Sequence, residues 1–150
     1  MTGYLTAADL GIDLSDGSDD SDASLGDELF RWFLASLLFG RPIQQQVAAR
    51  TYRVLIDHGL TTPGAFARYD RESLRALLDE GHYARLDYIM TDELHEVMRI
   101  VATDFGSVEE LVRSARTRAA LTETLVALPG IGPVTAEIFL REVPERVLPR

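Results

Sequence analysis

Apolar positions recur at helical spacing along almost the whole chain, and glycine, proline and small polar residues divide them into segments. The first segment is the most apolar. Leu29, Phe30, Trp32, Phe33, Leu34, Leu37, Leu38 and Phe39 would cover nearly every face of a helix running from a cap at Ser24 to residue 39. A helix apolar all round belongs inside a protein, so Trp32 is expected to pack rather than to face a ligand. Gly40-Arg41-Pro42 ends that segment. A second helix is predicted over 43–58, with Ile43, Val47, Thr51, Val54 and Leu55 as its buried stripe and Gly59 as its stop.

The pattern continues in the same manner. Thr62-Pro63 opens a short helix to residue 69, and Asp70 caps another over 71–80 with Leu74, Leu77 and Leu78 inward. After Gly81-His82-Tyr83, a long helix is predicted over 84–103 on the stripe Leu86, Met90, Leu94, Val97 and Val101. Acids and His95 on that helix read as a solvated face. Gly106 ends it, and Ser107-Val108-Glu109-Glu110 is a capping box for the next. Thr117 starts a helix to about residue 127, and Pro133 starts the last long one. No segment alternates with the two-residue period of a strand, so the fold class is all-α, with about eight helices.

Charge modifies this picture at one end. Residues 1–28 hold eight of the 24 acids and none of the 15 bases, while residues 29–150 hold 16 acids and 15 bases. Residues 1–23 therefore read as an acidic disordered tail and 24–150 as the helical domain. The formal net charge of −9 falls mostly on the tail, and a nearly neutral body can still carry local cationic surface. Every base is arginine. Without lysine no lysine Schiff base can form, and without cysteine there is no disulfide, thiolate zinc site or cysteine-bound iron–sulfur cluster. The N-terminus has neither a basic nor an apolar leader pattern, and no apolar run is long enough to cross a bilayer. No membrane is expected, and the expected location is cytoplasmic.

The candidate chemistry lies in Leu128-Pro129-Gly130-Ile131-Gly132-Pro133-Val134-Thr135-Ala136. Two glycines bracket one apolar residue, which suits a tight interhelical hairpin and close approach of a partner. Pro133 fits the first turn of a helix, whose next amides, Val134 and Thr135, are available to an anion. This is a device for holding a phosphate backbone without reading sequence.

This nonamer, followed by an apolar helix, resembles the helix-hairpin-helix of the endonuclease III-like DNA glycosylase superfamily, and the resemblance extends from about Gly26 to Arg141. It implies a multi-helix domain of that type and a base-excision-repair-like role on double-stranded DNA, damaged or distorted. Gly130, Ile131, Gly132, Val134 and Thr135 would then grip phosphate. The family's gap-filling position falls at Arg41, beside Gln44, and its minor-groove wedge at His82 and Tyr83. The carbonyls of Val126, Leu128 and Ile131 would hold a monovalent cation, Na+ or K+.

The resemblance also has limits. The catalytic lysine of bifunctional members corresponds to Val134, and the aspartate of monofunctional members has no position within these 150 residues. Glu142 and Glu145 are the candidates for a substitute acid. The expected function is thus DNA binding, without lyase activity. The alternatives are a monofunctional glycosylase with a non-standard acid and a helical protein-interaction domain.

Overall fold

The computed structural model describes residues 4–14, 22–83 and 85–148, the side chains of 22–24 excepted. The described residues form helices and turns, with no strand among them. Seven α-helices follow in order: α1 (Asp22–Phe39), α2 (Gln45–Asp57), α3 (Arg71–Glu80), α4 (Asp87–Ile100), α5 (Val108–Ser114), α6 (Arg118–Val126) and α7 (Pro133–Glu142). Short 3-10 turns occupy Ala8–Leu10, Pro63–Arg68 and Glu145–Val147, and α4 runs on into one π-helical turn, Val101–Phe105.

Three of the α-helices, α3, α5 and α6, start on the capping residues expected from the sequence. Asp70 accepts the Ser73 N–H at 2.8 Å, Ser107 the Glu110 N–H at 3.0 Å and Thr117 the Ala120 N–H at 3.0 Å. Thr62 does the same for the Pro63 turn. Three boundaries differ from expectation. Helix α1 begins at Asp22, ahead of the expected cap at Ser24. Helix α2 begins at Gln45, because the Ile43 N–H turns back to the Arg41 carbonyl at 2.7 Å and Gln44 is extended. Helix α4 begins only at Asp87, because His82 and Arg85 both adopt left-handed backbone, φ 70°, which no α-helix accommodates.

Helix α1 is the centre of the core. Every side chain from Trp32 to Phe39 is buried, and α1 packs against α2, α5 and α7. Trp32 packs as expected, edge-on to Phe39, and its indole N–H donates to the Phe139 carbonyl at 3.1 Å. Phe33 meets Phe139 edge-on at 5.5 Å. The inward face of α2 is rotated from the expected stripe: Ala48, Ala49, Thr51, Tyr52 and Leu55 are buried, while Ile43, Val47 and Val54 are only partly so. Small alanines let α2 approach closely, and Tyr52 fills the space that a valine would leave.

The N-terminal region departs from the expected tail. Residues 4–14 lie on the helical body, with Ala7, Ile12 and Leu14 buried. Three side chains on three different helices accept backbone N–H groups from this segment. Gln45 Oε1 takes Leu5 at 2.9 Å, Glu142 Oε2 takes Ala7 at 3.2 Å, and Glu28 Oε1 takes Asp13 at 3.1 Å. Apolar residues spaced among the acids hold the segment down, and the acid count hid them from a composition-based reading. Of the rest of the proposed tail, 1–3 and 15–21 lie outside the described residues and 22–23 begin α1.

Gly81, the C-cap of α3, lies directly against α2. A Cβ there would stand 2.6 Å from the Thr51 Cα, which is backbone and cannot swing aside. Gly81→Ala is therefore expected to destabilise the fold by about 1–3 kcal/mol. Urea denaturation should show a lower midpoint with an unchanged slope; a wild-type midpoint would contradict the packing described.

Candidate functional site

Helices α6 and α7 are joined by a short hairpin built on two apolar pegs. Leu128 and Ile131 are buried, and the Ile131 N–H closes the turn on the Leu128 carbonyl at 3.2 Å. Between them Gly130 has φ 78°, a left-handed conformation that glycine adopts without cost. A Cβ on Gly130 would also lie 2.6 Å from Glu93 Oε1 and 3.2 Å from Arg41 Nη2. Gly130 is thus required by its dihedral, and the side-chain ends of Glu93 and Arg41 lie against it.

Gly132 is different. Its backbone is extended, φ −98° and ψ −175°, and a Cβ there would meet nothing within 4 Å. The fold itself does not demand glycine. Gly132 is the N-cap of α7, a position where Ser, Thr, Asp or Asn satisfies the first free amides. Here no side chain caps the helix, and Pro133, its first residue, brings no N–H of its own. The amides of Val134 and Thr135 have no acceptor within the helix. Gly130 and Pro133 are exposed, and Val134 is 50% exposed. Thr135 offers only its backbone, because its side chain is buried against Gly40.

Arg41 lies against this hairpin, as its approach to Gly130 shows, and it is ion-paired with Glu93 of α4. Both side chains are about one-quarter exposed. From sequence Glu93 was read with its neighbouring acids as part of a solvated face. It flanks the buried stripe of α4, between Met90 and Val97, and that flank was the available signal. Gln44, expected beside Arg41, is exposed and is the N-cap of α2, with no side-chain cap bond.

The Gly81-His82-Tyr83 loop splits into two roles. Tyr83 is fully buried and donates from its phenol to the Leu38 carbonyl at 2.9 Å. Burial pushes the phenol pKa well above its usual value, with the nearby Arg41 charge opposing. Tyr83 therefore anchors the loop to α1 and is not an exposed wedge, which corrects the expectation. His82 is exposed on a left-handed backbone, and Arg85, likewise exposed and left-handed, forms no ion pair among the described residues. Arg85 escaped the sequence reading because it was placed inside the long helix.

The hairpin, Arg41 and the 81–83 loop thus meet at the C-terminal end of α1. The candidate acids do not. Glu142 is at the far end of α7 from Pro133, roughly 13 Å along the axis at 1.5 Å per residue. Its carboxylate holds the Ala7 N–H. Glu145 follows in the next turn, exposed. Among the described residues no group of three or more His, Asp or Glu side chains is placed to hold a metal ion. His95 is not a free surface group either, since its Nε2 bonds the Tyr69 carbonyl at 2.8 Å. Among the described residues no helix is long and apolar enough to cross a membrane.

Comparison with known family models, curated proteins and solved structures finds no match for this chain.

The split within the loop is testable. Tyr83→Phe, which removes only the hydroxyl and leaves the Leu38 carbonyl short of a donor, is expected to lower stability by about 1 kcal/mol. His82→Asn, which tolerates the left-handed backbone better, is expected to hold or raise stability by a few tenths of a kcal/mol. Thermal melts of the two variants distinguish the roles; a reversed order would contradict them.

Proposed function

We propose that this protein binds the phosphate backbone of duplex DNA through α6, the hairpin and the start of α7. The observation that carries this reading is Gly132. It is a glycine where neither dihedral nor packing requires one, at an uncapped and exposed helix start. What its missing side chain gains is access for a partner to the Val134 and Thr135 amides. Thr62, Asp70, Ser107 and Thr117 cap their own elements, whereas α7, like α2 and α4, starts without a side-chain cap, and of these three only α7 has glycine at its N-cap.

In this reading the likeness of 128–136 to the helix-hairpin-helix of DNA glycosylases is a likeness of grip. Arg41, Gln44, His82 and Arg85 flank the duplex, and damaged or distorted DNA is the preferred form because it bends more easily onto the two loops. A monovalent cation on the carbonyls of Val126, Leu128 and Ile131 belongs to the same proposal. Lysine-dependent lyase chemistry is excluded by composition. The position of Glu142 and Glu145 at the far end of α7 argues against either as a glycosylase acid.

The decisive variant is Gly132→Asp. An aspartate at the N-cap accepts the free amides and complements the helix dipole, so stability should rise by a few tenths of a kcal/mol. The same carboxylate would exclude phosphate, so duplex affinity should fall at least about tenfold at low salt. Fluorescence anisotropy with intact and abasic duplexes across salt, alongside a thermal melt, reads both effects. Absence of duplex binding by the wild-type chain at low salt, or equal binding by the variant, would overturn the proposal.

A further inference from the structure

We infer that the groove between α6 and α7, on the flank of the hairpin, docks an acidic peptide segment carrying one apolar anchor residue. The groove has a volume of about 360 Å³ and is lined by Arg118, Thr122, Pro133, Glu137, Leu140 and Arg141. This groove borders the surface proposed to meet the duplex and shares α6 and Pro133 with it, while Glu137, Leu140 and Arg141 extend it along α7.

Charge is the first argument. Arg41, Arg71, Arg75, Arg99 and Arg113 each contact a carboxylate. Arg118 and Arg141 are exposed and form no ion pair among the described residues. Arg118 also stands in the first turn of α6, where the helix dipole disfavours a cation and no acid offsets it. Arg116, exposed just ahead of the helix, adds to the same end. Arg50, Arg53, Arg68 and Arg85 are also exposed without an ion pair among the described residues, but among such arginines Arg118 and Arg141 line this groove together, which makes it complementary to carboxylates.

The floor is the second argument. Leu140 and Pro133 give it an apolar surface, and the Thr122 hydroxyl is turned to the Arg118 carbonyl at 3.1 Å, which leaves its methyl for contact. A phosphodiester strand would leave such a floor uncovered. An acidic peptide covers it with one leucine or phenylalanine while flanking carboxylates reach Arg118 and Arg141. Glu137 is the lone carboxylate of the lining, so it sets which end of the groove tolerates acid. Apolar anchors ringed by arginine contacts are where interface energy concentrates.

The test uses the full chain and a labelled peptide in which a Leu-Phe pair is flanked by aspartates, read by fluorescence anisotropy. Arg118→Gln and Arg141→Gln are each expected to weaken binding about threefold, the size of a partly exposed ion pair. Replacing Leu-Phe by Ser-Ser in the probe is expected to weaken it at least about tenfold. Thr122→Trp, which fills the groove, should abolish binding, and Arg50→Gln, on exposed α2 surface, should leave it unchanged. Equal thermal melts for the arginine variants confirm that folding is not the cause. Three results would overturn the inference: no saturable binding by the wild-type chain, undiminished affinity in the double variant R118Q/R141Q, or equal affinity for the Ser-Ser probe. Displacement of the peptide by single-stranded DNA at lower concentrations than by unlabelled peptide would also overturn it, and would assign the groove to nucleic acid.

Discussion

The last carbonyls of a buried helix must find donors, because no water reaches them. Helix α1 is buried at every position from Trp32 to Phe39, and the groups that answer its polar atoms come from distant parts of the chain. The Leu38 carbonyl accepts from the Tyr83 phenol, and the Ser36 hydroxyl returns to the Trp32 carbonyl at 2.8 Å. The Trp32 indole N–H reaches the Phe139 carbonyl of α7. Thr135 of α7 closes over Gly40 at the helix end. Satisfying α1 therefore fixes the 81–83 loop and the hairpin helix against the same point. The candidate site is assembled as a consequence of core polarity, with Arg41 and the hairpin brought together on its rim.

Electrostatics at that rim is balanced. Arg41 is paired with Glu93 beside Gly130, so the hairpin faces one positive and one negative side chain. The remaining attraction for an anion comes from the uncapped amides of α7 and from His82 and Arg85 on the strained loop. In the proposed reading such a site holds phosphate through backbone geometry more than through charge. Two left-handed non-glycine residues close together cost about 1 kcal/mol or more each, and the buried Tyr83 anchor is what holds the loop against that cost.

Much of the architecture could be read from residue spacing, because helices announce themselves through period and caps. Asp70, Ser107 and Thr117 stand where their hydrogen-bonding chemistry requires, and the apolar continuity of α1 marked it as interior. The hairpin glycines were legible too, but not the difference between them: only the folded backbone shows that Gly130 is left-handed and that Gly132 is extended with open space at its Cβ. Tyr83 was misjudged because a loop aromatic next to glycine can point either way, and burial is a tertiary fact. Glu93 was read as one of several solvated acids for the same reason. Residues 4–14 were hidden by composition, since a few apolar contacts and three side-chain acceptors outweigh an acidic average.

The central claim is that the open amides at the start of α7 are the surface that meets a ligand. It is tested most directly by a two-dimensional 15N–1H NMR titration of the full chain with a short DNA duplex. The account predicts the largest shifts at the amides of Gly130, Gly132, Val134 and Thr135, with smaller ones at Arg41 and His82. Shifts confined to α3 and α4, or none at low salt, would contradict it.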